Sequence, residues 1–157
     1  MISISTPAGP MEIRSQDGKI ATADFTGECS NSSNVSAVEE ECARQLLEYF
    51  SQAREEFYLP LLLDGTPFEL AVWKQLLKIP YGETRSYGDI AKEINKPGAA
   101  RAVGMACHRN KLAILVPCHR VIGSSGNLTG YASGTDKKSL LLSIEKSKEM
   151  LFPEIKG

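Results

Sequence analysis

Four consecutive residues, Pro117-Cys118-His119-Arg120, form the most reactive combination in the chain. A cysteine thiolate is a strong nucleophile, a neighbouring imidazole can take or pass on its proton, and a guanidinium favours the anionic sulfur. Arg120 is also a residue type that holds phosphate. Pro117 ends the apolar run Leu112–Val116 and fixes a bend, which holds the thiol in one place. A cysteine beside an apolar stretch is ordinarily a small buried hydrophobe; the proline, imidazole and guanidinium around Cys118 reverse that expectation. His119 then needs a carboxylate to orient it. Glu145 is the candidate, because it stands among Leu141, Leu142 and Ile144, where an unpaired charge is costly. Two other uses of these residue types stay open. Cys107-His108 together with Cys118-His119 supplies metal-ligand types, but zinc ligands normally stand two or more residues apart within a pair, and Cys29 and Cys42 have no histidine near them. No metal site is therefore expected. A Cys-His-Glu set also serves cysteine hydrolases, which turn over ester or peptide substrates.

Two regions must position these groups. Residues 1–66 contain four Lys/Arg against eleven Asp/Glu, whereas residues 67–157 contain fourteen against eight. Only the second region is suited to a polyanion. The first reads as a small α/β domain over 1–65. Short alternating segments at Ile2–Thr6, Met11–Ser15 and Ile20–Phe25 are separated by Pro/Gly and Asp17-Gly18 turns, and a helix capped by Ser36 follows through about Gln52. Leu59–Leu63 reads as a buried strand or extended link. The second region, 66–157, is mainly helical. Thr66 caps a helix with Pro67 at its first position, and this helix stops before Pro80. Ser86 caps Tyr87–Ile94, Pro97 starts the next helix through Ala106, and the pair reads as a helix-turn-helix with Arg101 near the start of its second helix. A last helix spans about Asp136–Met150 and carries Glu145.

No apolar run is long enough to span a bilayer. The opening stretch MISISTPAGPMEIRS has neither a basic nor an apolar signal region, so no signal peptide is expected. The four cysteines lack disulfide-framework spacing, which points to a reducing, cytoplasmic setting.

Pro117-Cys118-His119-Arg120-Val121-Ile122 resembles the active-site segment of the O6-alkylguanine-DNA alkyltransferases (methylated-DNA–protein-cysteine methyltransferases). Ser86-Tyr87, Ile90-Ala91, Ala100-Arg101-Ala102-Val103-Gly104, Arg109-Asn110, Gly130-Tyr131 and Glu145 occur in that family's order and at its intervals. The resemblance covers residues 67–150 closely and the N-terminal third in general character. It implies a ribonuclease H-like supporting domain with a three-stranded antiparallel sheet and a helix, followed by a winged helix-like domain that binds DNA and accepts the alkyl group. It also implies the roles. Cys118 would be the alkyl acceptor, His119 would remove its proton through a water, Glu145 would hold the imidazole, and Asn110 would brace the turn. Tyr87 would crowd the target nucleotide's phosphate, and Arg101 would replace the flipped base. Ser86, Ala100, Gly104 and Arg120 would contribute to DNA binding. Tyr131, Ala132 and Ser133 would close the guanine pocket, and backbone groups of Cys118 and Val121 would read the guanine edge.

The implied reaction is single-turnover repair of O6-alkylguanine, with O4-alkylthymine a possible second substrate. It would proceed in double-stranded DNA entered from the minor groove, by a monomer, without a cofactor and without a membrane. The alternative is a lesion-recognising DNA-binding protein that does no transfer, although proteins of that type lack the acceptor cysteine. Three departures from the family pattern, Cys107-His108 just before Arg109, Lys111 after Asn110 in place of proline and Ser133 in place of glycine, bear on loop rigidity and on the range of alkyl groups accepted.

Overall fold

The computed structural model describes residues 1–126 and 134–151, with side chains through residue 146. The chain forms two compact units. One comprises Met1–Asp64 with Lys111–Leu115; the other comprises Gly65–Asn110 and the chain from Val116 onward.

In the first unit, β1 (Ile2–Ile4), β2 (Met11–Gln16) and β3 (Lys19–Phe25) form an antiparallel sheet in sequence order. Asp17-Gly18 closes the β2–β3 hairpin with both residues at positive φ (53° and 78°), the geometry that two-residue hairpins demand and that Asp-Gly tolerates. Met11, Ile13, Ile20 and Ala23 put one face of the sheet into the core. That face meets α1 (Ala37–Phe50), whose Cys42, Leu46 and Tyr49 recur at helical spacing and are buried. Ser36 and Glu39 form a reciprocal capping box at the start of α1. The expected strand or link at Leu59–Leu63 is an extended segment that bridges Ile20 through Leu61.

The second unit is built on α2 (Pro67–Leu76), α3 (Tyr87–Glu93), α4 (Ala100–His108) and α5 (Thr135–Leu151). Two short strands, β4 (Arg85–Ser86) and β5 (Val121–Ile122), pair in parallel. Capping boxes at Thr66/Glu69 and Ser86/Asp89 start α2 and α3 at the expected residues. Val72, Leu76, Ile90, Ala91, Val103, Ala106 and Leu141 fill the core, each large aliphatic side chain contributing about 1.5–3 kcal/mol of burial. Trp73 Nε1 donates to Ala106 O at 2.9 Å and ties α2 to the helix-turn-helix formed by α3 and α4. A three-stranded sheet with a helix, followed by a helical unit with a helix-turn-helix, is the architecture expected from the sequence. Among the described residues, no helix is long and apolar enough to cross a membrane.

Two local expectations need correction. Pro97 does not start a helix: Gly98 takes φ +96°, the Lys96–Ala99 turn closes first, and α4 begins at Ala100 with Ala99 as a cap that makes no side-chain hydrogen bond. The apolar run Leu112–Val116 forms no strand, only an isolated bridge. Leu112 makes one bridge to Ala23, after which the backbone turns, with Ile114 in the left-handed region at φ +71°. A single division near residue 65 also leaves out the return of Lys111–Leu115 to the first unit. There Ala23 N donates to Lys111 O at 2.9 Å and Ala113 N donates to Ala23 O at 2.8 Å.

Candidate active site

The candidate nucleophile opens a single 3-10 turn, Cys118–Arg120, immediately after Pro117. Cys118 N donates to Val116 O at 2.8 Å and Arg120 N donates to Pro117 O at 3.0 Å, so the turn is held at both ends. Asn110, two residues beyond α4, reaches the same turn. Its Nδ2 donates to Val116 O at 2.9 Å and to Cys118 Sγ at 3.2 Å. An amide donor aimed at sulfur stabilises thiolate over thiol. The bracing role that the resemblance gives Asn110 thus has a geometric basis, and the donor adds an electrostatic one.

His119 is fully buried, and its Nε2 lies 2.7 Å from Glu145 Oε2. Burial pushes the His119 pKa down; the Glu145 hydrogen bond and charge oppose this without reversing it. Burial would raise the Glu145 carboxyl, but hydrogen bonds and charge from His119 and Arg120 prevail and hold it at about 2. The pair is therefore neutral imidazole and carboxylate. A carboxylate only accepts, so Nε2 carries the hydrogen and Nδ1 offers the lone pair. Nδ1 is buried and has no hydrogen-bond partner among the described residues.

Glu145 is fixed by more than the histidine. Its Oε1 accepts from Gly82 N at 3.0 Å and from Arg120 Nε at 2.9 Å, and its Oε2 accepts from Arg120 Nη2 at 3.2 Å. Arg120 Nη1 donates to Ile79 O at 2.8 Å. This corrects the expectation that Arg120 contacts phosphate. Its guanidinium is buried and engaged with Glu145 and Ile79, so it acts inward by holding the carboxylate.

Tyr87 sits in the first turn of α3, half-buried, with its ring facing Gly104 of α4. Lys138 Nζ donates to Tyr87 Oη at 3.2 Å and lies 5.5 Å from the ring centroid. Lys138 is fully buried. Burial lowers its pKa, while negative charge on Cys118 and Cys107 raises it. Burial, followed by charge on Cys107 and Cys118, raises the Tyr87 pKa, so the phenol stays protonated. The sequence reading missed Lys138. A signal was present: Lys138, Leu141 and Glu145 lie at i, i+3 and i+7 on α5, and all three are buried. The backbone anchors at Ile79 and Gly82 carried no comparable signal in residue type.

Of the candidate DNA-contacting residues, Arg101 is exposed on α4, and Ala100 and Gly104 are partly exposed beside it. Ser86 is the α3 cap, with its Oγ accepting from Asp89 N at 3.0 Å. Val121 is buried in β5 and pairs with Arg85. Tyr131, Ala132 and Ser133 lie outside the described residues. Among the described residues, no group of three or more His, Cys, Asp or Glu is placed to hold a metal ion.

Fold and site together define a helix-turn-helix protein with a Cys-Asn-His-Glu constellation whose cysteine, histidine and glutamate are buried. The family model "6-O-methylguanine DNA methyltransferase, DNA binding domain" matches residues 67–147. A methylated-DNA–protein-cysteine methyltransferase of Mycobacterium leprae is 45% identical over 149 residues, 92% of this chain and 90% of that protein. One from Methanosarcina barkeri is 59% identical over 107 residues, 68% of each chain. The crystal structure of Mycobacterium tuberculosis OGT in complex with DNA superposes with a TM-score of 0.85 at 45% identity, covering 92% of this chain and 91% of that one. The chain belongs to the methylated-DNA–protein-cysteine methyltransferase family.

Proposed function

We infer that the chain repairs DNA by moving an alkyl group, methyl in the simplest case, from O6 of guanine to Cys118 Sγ. The observation that carries this reading is the pair of contacts converging on one turn: the Asn110 donor on the sulfur, and the His119–Glu145 pair beside it. His119 Nδ1 takes the Cys118 proton through a bridging water, and Glu145 stabilises the imidazolium that forms. Arg120 and Gly82 keep the carboxylate aimed. The thiolate then attacks the alkyl carbon in line. The S–C bond forms, the C–O6 bond breaks, and the electron pair remains on guanine. A proton donated to the departing base completes the exchange. Tyr87 is assigned this step. An ammonium carries donors only, so Tyr87 Oη accepts from Lys138 Nζ and its own phenolic hydrogen points elsewhere.

The reacting atom lies inside the base stack, so the nucleotide must leave the duplex, at a cost of a few kcal/mol. Arg101, exposed near the start of α4, is the side chain assigned to fill the gap. Apart from the buried Arg120, residues 74–120 carry eight Lys/Arg against three Asp/Glu and provide sequence-independent attraction to phosphate. The thioether is stable, so each molecule acts once, and the alkyl group travels with the substrate, so no cofactor is needed. A monomer in the reducing cytoplasm fits an acceptor thiol that oxidation would destroy; the described cysteines are all free.

Stoichiometry tests the reading. With excess duplex containing O6-methylguanine, loss of the lesion should stop at one per protein molecule. Continued turnover would indicate a different chemistry, and tight binding without loss would indicate lesion recognition alone.

A further inference from the structure

Five residues other than glycine take positive φ among the described residues, and four of them are polar: Asp17, Asn34, Gln52 and Asn95. Those four lie in turns, at a bend or just past helix ends, outside the core. The fifth, Ile114 at φ +71°, is 1% exposed and β-branched, the side-chain shape that the left-handed region penalises most. Leu115 N donates to Ala113 O at 2.8 Å across it, so Ala113–Leu115 is a three-residue turn of the rare, strained hand. Three residues on, Cys118 N donates to Val116 O at 2.8 Å across Pro117 (φ −79°, ψ 63°), the same turn in its common, relaxed hand. Two turns of opposite hand thus stand back to back and end on the cysteine. A strained residue persists where its surroundings over-determine it. Ala113 N is tied to Ala23 O at 2.8 Å upstream, the Ile114 side chain is buried, and Val116 O downstream accepts from both Cys118 N and Asn110 Nδ2. The direction in which the chain leaves Ile114 sets where Val116 O stands. That carbonyl is where the Asn110 amide, which also donates to Cys118 Sγ at 3.2 Å, meets the cysteine turn.

We propose that Ile114 is a positioning residue for Cys118: its buried side chain locks a left-handed three-residue turn that places Val116 O against the Asn110 amide and so keeps that amide on the sulfur. Ile114 acts through Val116 and Asn110 and touches no substrate itself. The inference rests on the reading that Cys118 is the alkyl acceptor. Two properties are required at position 114, a side chain that locks the turn and a backbone that takes the left-handed conformation, and substitution separates them.

The test uses the intact chain and reads two rates. One is methyl transfer at saturating O6-methylguanine duplex; the other is alkylation of Cys118 by iodoacetamide without DNA, mapped by peptide mass. Ile114→Val keeps a branched apolar side chain and should stay within about twofold of wild type. Ile114→Ala removes the lock but keeps the left-handed penalty, so the turn relaxes and both rates should fall about tenfold, the scale of a lost donor to anionic sulfur. Ile114→Gly removes at least as much packing but takes the left-handed turn freely, and should recover to within about threefold of wild type. A smaller residue cannot restore packing, so recovery by glycine over alanine separates backbone placement from bulk. Duplex affinity, read by anisotropy, should be the same in all three variants. Asn110→Ala added to Ile114→Ala should slow neither rate further. Wild-type rates in Ile114→Ala with a lowered thermal midpoint would make Ile114 a packing residue and overturn the proposal. Glycine as slow as alanine, or further slowing by Asn110→Ala, would overturn it too. Should Ile114→Ala not fold, Ile114→Gly decides alone, and rates tenfold or more below wild type would contradict the proposal. Wild type that reacts with iodoacetamide at Cys118 but never takes up the methyl group would sink the transfer reading, while the iodoacetamide series still decides the role of Ile114.

Discussion

A buried carboxylate and a buried cysteine can be compared between the two units, Glu39 and Cys42 in the first with Glu145 and Cys118 in the second, and their surroundings differ in kind. In the first unit Glu39 accepts from Ser15 N at 2.8 Å, Ser15 Oγ at 2.6 Å and Ser36 N at 3.2 Å. Burial would raise its pKa, but the Ser15 hydroxyl, the Met1 ammonium 2.9 Å away and the Ser36 and Ser15 amides prevail and hold it at about 2. In the second unit Glu145 is held equally low, but its partners are His119 and Arg120. None of these Glu39 donors carries a second nitrogen that can exchange a proton. An imidazole does, and the far nitrogen of His119 remains available for proton exchange. The cysteines divide the same way. Burial, followed by the charges of Glu39 and Glu41, raises Cys42 to about 12, so it remains a packed thiol. Cys118 instead receives an amide donor from Asn110. A shifted carboxylate or a buried cysteine is therefore not evidence of chemistry by itself; what its partner can do next decides.

The comparison breaks most visibly at the two carboxylates. Glu145→Gln should slow alkyl transfer by at least about 100-fold, the scale of a lost acid-base partner. Glu39→Gln should leave single-turnover transfer kinetics unchanged and lower unfolding free energy by about 1–3 kcal/mol, the cost of a disturbed buried hydrogen-bond set. Acid is a second probe. Both carboxylates have depressed pKa values in the folded state, so their stabilisation is complete above 4.5 and is lost as pH falls toward about 2. His119, also depressed, adds a loss that begins below its ordinary 6.5. A pH series of thermal melts should therefore show the second unit weakening first, between 6.5 and 4.5, and His119→Gln should remove that early phase. Next in size, Asn110→Ala should slow transfer about tenfold or more by removing a donor to anionic sulfur, measured as the single-turnover rate. The smallest effects are at the caps. Ser36→Ala and Thr66→Ala should each cost about 1 kcal/mol of stability by denaturant titration, with no change in transfer rate.

Local rules made much of this legible. Asp17-Gly18, Ser36, Thr66-Pro67 and Ser86 mark element boundaries through chemistry contained within a few residues, and all four stand where expected. Cys118, His119 and Glu145 could be joined because a charge in an apolar stretch needs a partner. Long-range context was not legible in the same way. The direction of the Arg120 guanidinium depends on Ile79 and Glu145, both far away in the chain. Leu112–Val116 has strand composition, but its position between Ala23 and the Cys118 turn imposes turns instead. Lysine on a helix is ordinarily solvated, and only burial shared with Glu145, seven residues on, sets Lys138 apart.

The most direct test is intact-protein mass after incubation with a duplex carrying one O6-methylguanine, run beside Cys118→Ala and Cys42→Ala. The account predicts that wild type and Cys42→Ala each gain the mass of one CH2, saturating at one per molecule and mapping to the peptide containing Cys118. Cys118→Ala should gain nothing. A gain that persists in Cys118→Ala, or maps to another residue, would contradict the assignment of the nucleophile.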